Sequence, residues 1–507
     1  MAAAALRPLP SPNPWRPNPA RHHLDVDQTL GKIVKMPSKG VNAYTYISVP
    51  GCSIELSVPG QTVKISDLNR FSNTALEVEA FAIKSFFDKR GRFTFKVFLQ
   101  GNQITEQWID VNAITGNASG GTMESIANTH TIFHDDKCIS YGMYEAGEGH
   151  NLLPSRHQCY ITVTPSYANW MGSVAPPGSD LENRPFTRLV LPAAHDGGMN
   201  SMDSCNAVFQ RVGGAVVGTL INDNRILTQL TDKLSHDAIA LIAPNIVFSL
   251  AITQKDSLDS MLQVGARYFE FRPAHLHRSL IPTGALPDRL YFQHSAIPGM
   301  AYDAFLRDIV GFLRAHPAEI VVVQLRWDGV PEACAKPSDD EKRQYLDEAL
   351  RQANGEIVAG NLDDMKRSSI GQLRRDRKRL IMLDSVDSLS TYTDEGNATL
   401  NGDSIVETLP RVLTADNQRG KAFVNIQCQA TASNIPKAVV YSVLEASVTT
   451  SVLLATKGVC DSKILPWCRD NVLRTCELDQ LVVMMNDFID GGTADVAVQL
   501  SRQRLER

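Results

Sequence analysis

The chain has no paired cysteine spacing, no long apolar run and no basic excess, and each absence closes off a class of function. Its nine cysteines include no Cys-x-x-Cys pair, so there is no footing for a zinc site of that kind. The odd count leaves at least one thiol unpaired; Cys460, Cys468 and Cys476 lie close enough in sequence to hold a bridge in an exported protein. No apolar run reaches the ~20 residues of a transmembrane helix, and the nearest, Ala238 to Ile252, is interrupted by Pro244. No apolar leader follows Met1, so the expected location is cytoplasmic or peripheral to a membrane, with unconventional export as the alternative. A net charge of -5 argues against a nucleic-acid partner. It leaves room for a local basic patch; the run Arg374 to Arg379 reads as a solvated stretch, or on the sharper reading as a patch facing anionic lipid.

What is present divides the 507 residues into unlike parts. Residues 1–25 hold six prolines and no acidic residue before Asp25, which reads as a disordered arm, or as a transit peptide on the sharper reading. Residues 26–165 carry period-two alternation: Ile54, Leu56 and Val58, then Phe93, Phe95 and Val97, then Ile161 and Val163. That pattern predicts an all-β, sandwich-like domain of antiparallel strands, serving as a packing module or as a surface for lipid, glycan or a partner. Pro176-Pro177-Gly178 marks a linker over 166–183. Asn117-Ala-Ser and Asn397-Ala-Thr match the glycosylation triplet, one short enough to arise by chance.

From residue 184 to 507 strands alternate with helices, which predicts an α/β fold, a distorted (β/α) TIM-type barrel. Leu189 to Leu191, Ala266 to Phe271, Tyr291 to Gln293, Ile320 to Leu325, Leu380 to Leu383, Ala422 to Ile426 and Leu481 to Met485 read as strands. Asp256 to Val264, Tyr302 to Ala315 and Thr493 to Leu500 read as helices. Ser338 and Glu341 form a capping box. The stretch from Met199 to Asp256 is long for one connection and is expected to pack over the barrel or lid it.

Polar residues cluster at the predicted strand ends: His195 and Asp196, Glu270 and Arg272, His294, Arg326, and Asp487. Barrels keep their chemistry at the carboxyl ends of strands. Two histidines, an arginine and several carboxylates meet the needs of intramolecular phosphodiester cleavage. One imidazole takes a proton from the attacking hydroxyl, the other protonates the departing oxygen, and the guanidinium stabilises the phosphoryl charge. Each residue also has a plain reading: a strand-end histidine as a structural hydrogen-bonder, Arg272 as the salt-bridge partner of Glu270, Asp487 as a loop cap. Convergence on one face separates the two readings.

Four segments carry a resemblance: RLVLPAAHDGGM (188–199), TQKDSLDSMLQVGARYFEFRP (253–273), YFQHSAIPG (291–299) with the helix to HPAEIVVVQLRWD (316–328), and LVVMMNDFID (481–490). They resemble the phosphatidylinositol-specific phospholipase C X-domain superfamily in its small bacterial and fungal form. The resemblance implies that His195 is the general base toward the inositol 2-hydroxyl, oriented by Asp487. It implies that His294 is the general acid assisted by Asp196, that Arg272 contacts the phosphate, and that Glu270 supports the site. Arg326 matches a basic residue on the neighbouring strand, and Gln427 and Gln429 fall near the end where the head group is read. The family's more usual Leu-Pro-Gly-Thr-His-Asp-Ser is replaced here by Ala193-Ala194 before His195 and Gly197 after Asp196, which removes two hydroxyls from the site's surroundings.

Signalling members of the superfamily hold calcium with a carboxylate where this chain has Arg272, whose fixed charge would repel a cation. The expectation is therefore catalysis without a metal or other cofactor. His275-x-His277 offers a metal pair without a third ligand and reads as a loop pair. The implied activity is cleavage of phosphatidylinositol-type lipids through a cyclic inositol phosphate at a transient membrane surface. The alternative is a catalytically weak barrel acting as a lipid- or glycan-binding module. A metal-dependent phosphodiesterase would need a carboxylate cluster that the sequence does not display.

Overall fold

The computed structural model describes residues 39–146, 153–212, 247–431 and 451–507, together with 216, 220, 243 and 244. The proline-rich arm and much of the long connection expected to cover the barrel lie outside the described residues. The first strands are β1 (Gly40–Ile47), β2 (Cys52–Val58), β3 (Gln61–Ile65), β4 (Ser72–Glu77), β5 (Arg90–Leu99), β6 (Asn102–Asn112), β7 (Ala118–Ser119), β8 (Ile132–His134), β9 (Lys137–Tyr144) and β10 (His157–Pro165). They form two five-stranded sheets, ordered β4-β1-β10-β9-β8 and β3-β2-β5-β6-β7. The alternating residues of both meet in one core that includes Val41, Ile54, Leu56, Phe93, Phe95, Tyr141 and Ile161. One pair departs from the antiparallel expectation: β1 runs parallel to β10, from Val41 opposite His157 to Ile47 opposite Val163. Alternation reports which face is buried, not which way a neighbouring strand runs.

The remaining strands are β11 (Val190–Ala194), β12 (Tyr268–Phe271), β13 (Pro273–Ala274), β14 (Tyr291–His294), β15 (Ile297–Ala301), β16 (Val321–Leu325), β17 (Ala359–Gly360), β18 (Leu380–Asp384), β19 (Phe423–Gln427) and β20 (Leu481–Asn486). Seven of them make one sheet in the order β17-β18-β16-β12-β11-β20-β19, and every pairing in it is parallel. Val321, Val322 and Val323 are fully buried, as a strand covered on both faces requires. No ladder joins the edges β17 and β19 among the described residues; an isolated parallel bridge runs from Ser390, beyond β18, to Phe423 of β19. Ser257 and Ser338 cap the helices Leu258–Val264 and Asp339–Arg351 by accepting from the N–H of Ser260 and Glu341.

The structure corrects several expectations from sequence. The strand before His294 is not part of the parallel sheet: β13, β14 and β15 form a separate antiparallel sheet. All nine cysteines are free. Cys460 and Cys468 sit on the Val452–Thr475 helix, where eight residues rise ~12 Å, beyond the ~7 Å that a disulfide can span between Cα atoms. Asn397 is buried and donates to the Gln429 carbonyl at 2.6 Å, so its triplet is inaccessible to a glycosyl transferase. Within the basic run, Arg374 and Arg379 are held by the fold, while Arg375 and Arg377 stay exposed. Arg374 donates to the carbonyls of Ala318, Ala175 and Met171, and Arg379 to that of Leu313.

Candidate active site

Strand register builds the site. Ala194 of β11 lies opposite Asn486 of β20, so the residues that follow, His195 and Asp487, leave the sheet together. The His195 N–H donates to the Asn486 carbonyl at 3.1 Å, and its Nδ1 lies 2.7 Å from Asp487 Oδ1. An ionised carboxylate only accepts, so Nδ1 carries the proton of that bond and Nε2 is turned toward Asp196. On the other side of β11, Glu270 of β12 and Arg272 just beyond it are two residues apart and share a face. Arg272 Nη2 bridges two carboxylates, 2.9 Å from Asp196 Oδ1 and 3.0 Å from Glu270 Oε1. Phe271 pairs with Leu325, which sets Arg326 beside Arg272, with Nη1 3.3 Å from Glu270 and Nε 3.0 Å from both Asp328 and Asp387.

His294 arrives on the β14–β15 hairpin. Its Nε2 lies 3.7 Å from Asp196 Oδ2, and His195 Nε2 lies 3.9 Å from the same oxygen. Gly198 makes the approach possible, because a Cβ there would stand 2.4 Å from Cβ of Phe292. Three non-glycine residues at these corners have left-handed backbone: Asp196 (φ 45°), Ser295 (φ 54°) and Phe488 (φ 45°). Such conformations cost energy and persist where surrounding contacts impose them. Two buried residues supply those contacts at the Asp196 and Phe488 corners. Gln254 donates to the carbonyls of His195 (2.9 Å) and Asn486 (3.1 Å) and accepts from the Ile489 N–H (2.9 Å). Thr253 donates to the Asp196 carbonyl at 3.1 Å and accepts from the Phe488 N–H at 2.7 Å. Sequence reasoning assigned neither a role, although both open the 253–273 segment that carries the resemblance.

The electrostatics set the two histidines apart. Burial works against a charge on His195, but Asp196 and Asp487 outweigh it and raise its pKa to about 9. Burial depresses His294 to about 4, with Arg272 adding to the effect against the pull of Asp196. Burial pushes Asp487 up, only partly offset by His195. Burial also acts to raise Asp196, but Arg272 and both imidazoles hold its carboxyl below the ordinary range. At neutral pH the pair therefore shares one proton, carried on His195.

His195, Asp196 and Glu270 offer ligand atoms within 4.8 Å of one another, a donor set of the size a cation uses. The guanidinium of Arg272 already lies against both carboxylates. Its buried Nε has no acceptor among the described residues, leaving a donor for an incoming anion. His275 and His277 do not converge: the first faces Glu341 at 3.2 Å, the second Ser279 at 2.6 Å. The structure brings His195, Asp196, Glu270, Arg272, His294, Arg326 and Asp487 together. It does not bring Gln427 and Gln429 into this cluster; Gln427 donates to Asn425 at 2.6 Å, and Gln429 donates to Gln427.

No protein-family model matches the chain, and no curated protein matches it. Among solved structures, the chain is similar to a variant of the phosphatidylinositol-specific phospholipase C from Staphylococcus aureus at a TM-score of 0.39 and 13% identity, covering 66% of this chain and 96% of that one. It is similar to the phosphatidylinositol-specific phospholipase C from Listeria monocytogenes at a TM-score of 0.35 and 14% identity, covering 66% of this chain and 98% of that one.

Proposed function

We propose that the protein is a phosphodiesterase that cleaves phosphatidylinositol-type lipids by general acid–base catalysis, without a metal. The observation that carries this reading is the placement of two imidazoles on one carboxylate oxygen, with Arg272 on the other oxygen of Asp196. His195 Nε2 takes the proton of the inositol 2-hydroxyl as that oxygen attacks phosphorus. The bond from phosphorus to the glycerol oxygen breaks, and His294 protonates the departing diacylglycerol. The product is a cyclic inositol phosphate, open to hydrolysis by the reverse proton transfers. Arg272, fixed by Asp196 and Glu270, supplies the charge that a bound metal would otherwise supply. The productive form needs the shared proton on His294. A phosphodiester anion beside Arg272 cancels the repulsion between guanidinium and imidazolium and favours that form.

In this reading the seven-stranded sheet is the wall of a distorted barrel over 184–507, and residues 26–165 are an accessory domain. The binding-module alternative draws on the neutral resting state of His294, which leaves the free protein without its acid. The test is cleavage of phosphatidylinositol vesicles in excess EDTA by wild type, His195→Ala and His294→Ala. Release of inositol 1,2-cyclic phosphate by wild type alone supports the proposal. Activity only with added calcium overturns the role of Arg272, and inactive, folded wild type favours the binding module.

A further inference from the structure

Far along the sequence from the catalytic cluster, between β4 and β5, the loop 79–89 presents Phe81, Phe86 and Phe87 to solvent at 87%, 84% and 96% exposure. Large apolar side chains normally leave water, and here three do not. The Phe86 and Phe87 rings meet edge to face at 5.5 Å, so they form one apolar knob. Ile114, 63% exposed, lies beside it, since the Ala113 N–H donates to the Lys89 carbonyl at 2.9 Å.

The charges of the loop separate into two kinds. Asp88 is held by Arg90 at 2.7 Å and Glu79 by Lys39 at 2.6 Å. Lys84 and Lys89 have no carboxylate partner among the described residues, and Lys89 donates only to the Ala80 carbonyl at 3.3 Å. The loop is thus apolar at the tip and cationic at the flank, in a chain of net charge -5. Three phenylalanine side chains offer about 500 Å², short of the ~800 Å² that each partner of a stable protein pair buries. A second copy of this chain would need a larger face, whereas a bilayer needs only a few side chains at the depth of the acyl boundary, with cations at the head groups.

The loop also leaves the sheets at a significant end. Glu77, which closes β4, pairs with Gly40; the adjoining Val41 pairs with His157; and Gln158 pairs with Tyr144. Tyr144 belongs to the same buried cluster as Phe488, the neighbour of Asp487. The strand end that bears the loop thus shares a buried cluster with a neighbour of the site.

We propose that Phe81, Phe86 and Phe87 insert into the interface of a phospholipid membrane, with Lys84 and Lys89 on anionic head groups. The loop then holds the protein on the surface independently of the active site; the choice of a membrane as partner rests in part on the phosphodiesterase reading. The test is sedimentation with mixed phosphatidylcholine–phosphatidylserine vesicles, which contain no inositol lipid. Phe86→Ser/Phe87→Ser should lower association roughly 100-fold, and Lys84→Ala about 5-fold in a salt-sensitive manner. A Phe87→Trp variant should shift its emission to the blue on vesicles.

Unchanged sedimentation of the serine variant, no emission shift, or no binding by wild type overturns the proposal. So does a wild-type dimer in analytical ultracentrifugation that the serine substitutions dissolve. Hydrolysis of water-soluble inositol cyclic phosphate should be the same in wild type and the serine variant. Wild type that binds vesicles through these phenylalanines but hydrolyses nothing supports the insertion loop and overturns the phosphodiesterase.

Discussion

His195 and His294 approach the same oxygen, Oδ2 of Asp196, at 3.9 and 3.7 Å. One carboxylate therefore couples two imidazoles of opposite disposition, one raised to about 9 and one lowered to about 4. Between those values the pair holds one proton, which is the count that acid–base cleavage needs. Below about 4 both rings are charged and no base remains; above about 9 both are neutral and no acid remains. The profile of kcat/KM against pH should be a bell with limbs near these values, the limbs belonging to the pair rather than to either ring. Asp487→Asn removes a charge that supports the His195 proton, so its alkaline limb should move down, with a rate loss of about 10²–10⁴. An alkaline limb unmoved by that substitution would show that His195 does not titrate in the reaction.

The same shifts carry a stability consequence. His195 is raised on folding, so its contribution is complete below the unfolded value and is lost as pH rises through about 9. His157 and His294 are buried and lowered to about 4, so the contribution of each is present above the unfolded value and is lost as pH falls toward about 4. His157→Gln keeps one donor and one acceptor where Nδ1 accepts from the Ala146 N–H and Nε2 donates to the Gly116 carbonyl. Chemical denaturation of this variant across the acid range should show a shallower loss of stability than wild type. An equal slope in both would remove His157 from the acid transition.

Arg272 should not tolerate lysine. One Nη2 serves Asp196 and Glu270 while the buried Nε remains to donate elsewhere. An ammonium keeps the charge but cannot hold that planar fork. Arg272→Lys is expected to lose roughly 10²–10³ in kcat, the cost of removing a positioned charge donor, with little change in melting temperature. Added calcium should not restore the rate. Restoration would mean that His195, Asp196 and Glu270 can form a working metal site once the guanidinium is gone.

Much of this site was legible in the chain because its residues sit at the ends of strongly apolar strands. Val190–Ala194, Val321–Leu325 and Leu481–Asn486 are buried throughout, and such runs announce themselves in a sequence. His294 joins the cluster by a different route from the one its sequence position suggests. Its Tyr-Phe segment does form a strand, but in an antiparallel hairpin, and a strand of four residues does not state its partners. The bracing by Thr253 and Gln254 could not be read, since it depends on backbone carbonyls brought close only by the fold. The Val452–Thr475 helix was missed because its apolar residues are not confined to one face and Pro466 lies inside it.

Gly198 gives the sharpest test of how the hairpin delivers His294. A methyl group there would meet Cβ of Phe292 at 2.4 Å, closer than carbon atoms approach, and Phe292 is fully buried against Phe271. Neither side can yield by rotating a flexible tip, so the hairpin itself must shift. The Met300 N–H, which donates to the Gly198 carbonyl at 2.8 Å, would shift with it. Gly198→Ala should cost about 1–3 kcal/mol of stability, the range for an overpacked core. A displacement near 1 Å at His294 should cost about 10²-fold in kcat. The His195–Asp487 bond lies on the other side of β11, so the alkaline limb of the pH profile should stay where it is in wild type. A Gly198→Ala protein with full activity would show that His294 does not depend on this contact for its position.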